Sequence, residues 1–165
     1  MIAGRDEKEL SAEDFFNTGV ELSSQQDYEG AIQKFSIAIS LDPQYADAYL
    51  KRGVATKNLI AYNKSSDYQS AIDDFNKAIE LNPDNPVPHN HLAMLMKKLG
   101  SDQGVIDEYT KAIETPDNPN KGFAYFQRGN VKFKSGDKQG ACEDWKKAAE
   151  LGFDLVEPVL KEHCE

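Results

Sequence analysis

Asp27-Tyr28-Glu29-Gly30-Ala31-Ile32-Gln33-Lys34-Phe35-Ser36-Ile37-Ala38-Ile39-Ser40-Leu41-Asp42-Pro43 returns further along the chain as Asp67-Tyr68-Gln69-Ser70-Ala71-Ile72-Asp73-Asp74-Phe75-Asn76-Lys77-Ala78-Ile79-Glu80-Leu81-Asn82-Pro83. Nine of the seventeen positions are identical, and they are the residues that would pack or end a helix. A looser copy runs from Ser101 to Asp117, and a fourth from Asp137 to Phe153. Self-similarity at this period marks a stack of supersecondary units rather than one undivided core.

Each copy has a partner segment before it. Phe15 and Gly19, Tyr49 and Gly53, and Tyr125 and Gly129 each set an aromatic residue four positions before a glycine; in the third unit His89 and Ala93 take those places. Residues four apart share a helix face, so a ring stands beside a gap that a neighbouring helix can approach closely. The second segments repeat the device in Ala31-Phe35-Ala38, Ala71-Phe75-Ala78 and Ala141-Trp145-Ala148, a ridge-and-groove face suited to tight helix pairing.

The punctuation agrees. Asp27, Asp67, Ser101 and Asp137 stand where second helices would begin, and all are good N-caps. Pro43 and Pro83 follow the ends of second helices, where proline blocks continuation. Ser11 and Asp14 are spaced as a capping pair for the first helix.

These residues resemble the tetratricopeptide repeat (TPR), a helix–turn–helix unit of about 34 residues. The spacing from Gly19 to Gly53 and from Ala78 to Ala112 is 34 in each case. The resemblance implies an all-α fold, a right-handed α-α superhelix of four hairpins at 12–45, 46–85, 86–119 and 120–153. It is preceded by a short charged lead at 1–11 and closed by a capping helix at 154–165. Ala31 and Ala71 are 40 residues apart, so the second unit holds about six extra residues within Asn58–Ser66, expected to lengthen its first helix before a polar loop. In the last segment Leu155, Val156, Val159, Leu160 and Cys164 keep helical spacing after Gly152, a C-cap for the preceding helix, and Pro158 either limits the regular helix to about Pro158–Cys164 or sits in its first turn.

By register with the family, the first helix of each hairpin lines a concave groove. The inward residues would be Phe16, Asn17 and Val20; Leu50, Lys51 and Val54; Asn90, His91 and Met94; and Phe126, Gln127 and Asn130. Lys57, Lys97, Lys98 and Lys134 lie a turn further on. Apolar side chains mixed with amides and lysines suit a peptide of acidic or mixed character. The opposing reading has Phe16, Leu50 and Phe126 packing against neighbouring units. The second helices carry the acidic pairs Asp73-Asp74, Asp107-Glu108 and Glu143-Asp144, expected on solvated convex faces. One subset of the family clamps a C-terminal carboxylate with lysine, asparagine and arginine. The matching places here hold Phe16, Val20, Lys51, Val87 and His91, so that clamp is absent.

Other chemistry is excluded residue by residue. A net charge of −9 argues against general nucleic-acid binding, which needs a basic face. No apolar run approaches the ~20 residues of a membrane span. The start Met1-Ile-Ala-Gly-Arg-Asp-Glu-Lys-Glu-Leu10 is acidic where a signal peptide is apolar. The chain as given therefore reads as cytoplasmic, whereas a signal trimmed from upstream would make it periplasmic or exported. His89 and His91 sit two apart, about 200° around a helix, and cannot chelate one metal together. There is no phosphate loop and no nucleophile elbow, and His163-Cys164 adjacency aims neither side chain at the other. We expect no enzyme, no metal and no cofactor.

Cys142 and Cys164 are equidistant from Phe153, so an antiparallel pair turning there sets them at similar height. The stretch Gly140–Gly152 followed by a late cysteine also resembles the closing repeat of bacterial TPR proteins, some of them exported. A disulfide across the cap and two reduced thiols are both open on this reading. For function, a protein- or peptide-binding scaffold competes with a self-associating structural module.

Overall fold

The computed structural model describes residues 10–63 and 68–164. The cap expected at Asp67, most of the charged lead and the polar end of the second-unit insertion fall outside them. Among the described residues there are nine α-helices and no strand: α1 (Ala12–Ser24), α2 (Tyr28–Leu41), α3 (Ala46–Tyr62), α4 (Gln69–Leu81), α5 (Val87–Lys98), α6 (Asp102–Glu114), α7 (Lys121–Lys134), α8 (Lys138–Glu150) and α9 (Glu157–His163). A 3-10 turn, Asp154–Val156, leads into α9. The chain forms two compact units, Met1–Asp74 and Phe75–Glu165, with the boundary inside α4.

Helices α1, α2, α6 and α8 start where a side chain satisfies a free amide. Ser11 Oγ accepts the amide of Asp14 at 3.2 Å, and Asp14 accepts the amide of Ser11 at 2.9 Å, a reciprocal capping box. Asp27, Ser101 and Asp137 accept the amides of Gly30, Gly104 and Gly140 at 2.9, 3.2 and 2.9 Å. The first helices of hairpins one, three and four stop at a left-handed residue: Gln26 (φ 64°), Gly100 (φ 75°) and Gly136 (φ 96°). The next amide then reaches back to close the helix, Asp27 to Leu22, Ser101 to Met96 and Asp137 to Lys132. Gly152 (φ 78°) ends α8 in the same way, with Phe153 donating to the Ala148 carbonyl.

In the first unit Ala31, Phe35 and Ala55 form a buried cluster flanked by Phe16, Leu22, Tyr28 and Ile32. The gap beside the aromatic has a definite occupant. A Cβ on Gly19 would lie 2.7 Å from the Phe35 ring, so the glycine lets the hairpin close on that phenylalanine. α3 has 17 residues against 13 in α1, so helix takes up several of the extra residues of the second unit, as its sequence led us to expect.

In the second unit Ala93, Val105, Tyr109, Ala112, Ala124 and Val131 pack between α5, α6 and α7. A further cluster of Ala141, Trp145, Ala148 and Val156 lies between α8 and the C-terminal segment. Gly129 faces Trp145 as Gly19 faces Phe35, and a Cβ at that position would stand only 2.7 Å from the indole. Pro158 sits in the first turn of α9, where its missing amide costs no hydrogen bond. The proline- and asparagine-rich link before α7 is folded inward: buried Asn118 donates to the Ala112 carbonyl at 2.7 Å and accepts the Asn120 amide at 2.8 Å.

Candidate protein-binding surface

The expected groove residues divide by what they touch. In the first unit Asn17, Val20 and Lys51 are exposed and Val54 is half-buried. The Phe16 ring lies tilted 4.9 Å from Tyr45 and 5.7 Å from Phe35, leaving only part of it accessible. Leu50 is 5% exposed, so it serves packing and offers a ligand almost nothing.

In the second unit Met94 is 46% exposed and His91 stacks on Phe75 with 5.2 Å between centroids. Asn90 Oδ1 is buried without a hydrogen-bond partner among the described residues. Phe126 leans on Phe153 at 5.1 Å. Asn130 Oδ1 accepts the Trp145 indole N–H at 3.1 Å, which commits that amide to the α7–α8 contact rather than to an open groove.

Met94 and Gln127 converge on one cleft. It encloses about 480 Å³ and is lined from α5 by Met94, Lys97 and Lys98, from α6 by Val105 and Tyr109, and from α7 by Phe123, Gln127 and Val131. Tyr109 meets Phe123 edge-on at 6.2 Å, and burial pushes its phenol up to about 12, so it stays neutral and presents a ring. Lys97 and Lys98 form no ion pair among the described residues.

The acidic pairs of the second helices are not uniformly solvated, which corrects the expectation from sequence. Asp73, Asp107 and Glu143 are exposed, but Asp74 and Asp144 are 6% and 4% exposed. Arg52 donates Nε and Nη2 to Asp74 at 2.9 and 2.7 Å and Nη1 to Ser36 at 3.1 Å. Arg128 repeats this with Asp144 at 2.8 and 2.7 Å and with Thr110 at 2.8 Å. Each guanidinium also lies over a tyrosine, Tyr49 at 5.6 Å and Tyr125 at 5.4 Å. One arginine thereby joins its own helix, its hairpin partner and the last helix of the preceding hairpin. A planar donor fork matched to a carboxylate is what a charge needs to be tolerated in such a place.

The third hairpin has Leu92 where the second and fourth have Arg52 and Arg128. There His89 Nδ1 lies 2.8 Å from Glu108 Oε2, and Lys111 Nζ lies 2.7 Å from Glu108 Oε1. Burial acts to raise the Glu108 carboxyl, but the hydrogen bonds from His89 and Lys111 outweigh it and hold the group below its ordinary value. The signal for these links was present in sequence as Arg-Gly doublets answered by Asp-aromatic doublets, Arg52-Gly53 with Asp74-Phe75 and Arg128-Gly129 with Asp144-Trp145.

Cys142 and Cys164, left open by the sequence, are joined as a disulfide with 5.7 Å between their Cα atoms.

The comparisons agree with this geometry. The TPR repeat model matches residues 19–59 and 61–100. An uncharacterized protein of Methanocaldococcus jannaschii, MJ0572, is 35% identical over 60 residues, covering 36% of this chain and 70% of its own. Among solved structures, MamA superposes with a TM-score of 0.74 at 25% identity, over 88% of this chain and 81% of its own. PilF of Pseudomonas aeruginosa gives a TM-score of 0.71 at 16% identity, over 85% of this chain and 60% of its own. PilW, described as a widely conserved type IV pilus biogenesis factor, gives 0.67 at 22%, over 83% and 60%. The chain belongs to the TPR repeat family and has its all-α solenoid fold. That family builds protein–protein interaction scaffolds and is typically non-enzymatic, so the partners it implies are proteins. No helix among the described residues is long and apolar enough to cross a membrane.

Proposed function

We propose that the chain is a scaffold that captures an acidic, partly apolar peptide segment of a partner protein, and that the α5–α6–α7 cleft is its principal site in the second unit. The observation that carries this reading is the juxtaposition of exposed Met94 and the Phe123 and Tyr109 rings with Lys97 and Lys98. In a protein of net charge −9, two lysines that form no ion pair among the described residues, at the edge of an apolar cleft, favour an anionic ligand. A large apolar side chain would enter the cleft while flanking carboxylates meet the lysines. The four hairpins at 12–45, 46–85, 86–119 and 120–153 would each turn their first helix to partners, with Asn17, Val20 and Lys51 the accessible positions of the first unit.

The test is peptide-display selection on the wild type and on a Met94→Glu, Lys97→Glu, Lys98→Glu variant shown to keep its helical signal and melting. Enrichment of acidic–apolar peptides on the wild type, lost on the variant, is the expected result. Peptides enriched equally on both would move the site elsewhere. No enrichment, together with light scattering that rises with concentration, would replace this reading by self-association.

A further inference from the structure

The C-terminal segment is held on the repeat array by few non-covalent contacts. α9 has seven residues, below the length at which an isolated helix persists, and no side chain caps its N-terminus. Val156 is its one fully buried neighbour in the segment, while Leu155 is 72% exposed. Val159 and Leu160 are half-buried against the Trp145 cluster. His163 stacks on Phe133 with 4.5 Å between centroids and lies 6.0 Å from Trp145. The remaining tie is the bond between Cys142 on α8 and Cys164 just past α9, and both cysteines are only partly buried, within reach of a solvent-borne thiol.

We propose that this segment is a thiol-operated latch: reduction of Cys142–Cys164 frees α9 and uncovers Trp145 and Phe133, leaving the preceding hairpins folded. The hairpins have their own core of Ala93, Val105, Tyr109, Ala112 and Val131, to which the segment contributes nothing. The chemistry is ordinary exchange with a dithiol. One thiolate of the reductant attacks a sulfur of the pair, breaking the S–S bond and expelling the other cysteine as thiolate. The reductant's second thiolate then attacks its own first sulfur and expels the cysteine still bound to it, so two electrons pass to the protein, both cysteines end as thiols, and the reductant leaves as its cyclic disulfide. Opening costs the protein the loop constraint of a 22-residue separation, enough to decide the fate of a seven-residue helix.

The experiment compares hydrogen exchange and acrylamide quenching of Trp145, the sole tryptophan, in the oxidised protein and in protein reduced by dithiothreitol. We expect protection across Glu157–His163 to fall by about a hundredfold on reduction, with Trp145 more readily quenched and α5–α7 exchange unchanged. Unchanged protection in α9 would overturn the proposal, because the contacts alone would then hold the segment. Collapse of protection across α7 and α8 would also overturn it, since the bond would be a staple of the whole fold. A Cys142→Ser, Cys164→Ser variant should behave as the reduced protein in either buffer. Retained α9 protection in that variant, or failure of its repeats to fold, counts against the latch.

Discussion

Arg128 and Asp144 face each other across α7 and α8 in a two-bond fork, with Nε and Nη2 donating to the two carboxylate oxygens at 2.8 and 2.7 Å. Lys132 Nζ adds a third contact at 3.0 Å, and the third arginine nitrogen reaches Thr110 on α6 at 2.8 Å. Three successive helices of the second unit are therefore tied through one carboxylate and the arginine that grips it. Arg52, Asp74 and Ser36 make the same arrangement in the first unit. Such a link orders hairpins relative to their neighbours in a way that apolar packing alone, which is non-directional, does less sharply.

Removing one partner leaves the other charge buried. Asp144→Leu should destabilise the protein by about 3 kcal/mol, because Arg128 and Lys132 lose their acceptor in a site from which water is largely excluded. The paired replacement Arg128→Met, Asp144→Leu should recover part of that loss. Urea unfolding followed by far-ultraviolet circular dichroism, arranged as a double-mutant cycle, measures both. Additive losses would show that the two groups do not interact.

Gly129→Ala should cost about 1–3 kcal/mol by overpacking. The new methyl would stand 2.7 Å from the Trp145 ring, and the indole is held by its hydrogen bond to Asn130 and by Phe133. Thermal melting of the variant checks the loss. A midpoint equal to wild type would mean that the ring shifts at no cost.

Glu108 gives the third hairpin a pH dependence of defined sign. Its folded-state carboxyl is held low by His89 and Lys111 against the opposing effect of burial. A depressed acid stabilises the folded state fully above its ordinary range and loses that contribution as pH falls through the folded value. Glu108→Gln should therefore narrow its deficit relative to wild type as urea titrations move from pH 6 to pH 3. A deficit that stays constant over that window would remove Glu108 ionisation as its cause.

Most of the local architecture was legible in the chain. The capping box at Ser11, the Asp27, Ser101 and Asp137 caps, the Gly152 stop and the place of Pro158 all follow from side chains acting on backbone groups within a few residues. The surface was less legible. Leu50, Met94, Gln127 and Asn130 are all groove-facing by register with the family, yet Leu50 is buried and Asn130 is taken by Trp145, while Met94 and Gln127 line a cleft. Register places a residue on a helix face; it does not say how far that face is covered or which polar group opposite will claim it.

The sequence by itself determined that the chain is a series of helical hairpins of the TPR class, because repeat length, glycine–aromatic spacing and caps are all written in short-range order. Only the tertiary structure decided which acid of each pair turns inward, which arginine spans three helices, and that Cys142 meets Cys164. Those outcomes depend on groups from helices far apart in sequence arriving within about 3 Å for a hydrogen bond, or closer for a covalent bond, and no periodicity along one helix fixes that approach.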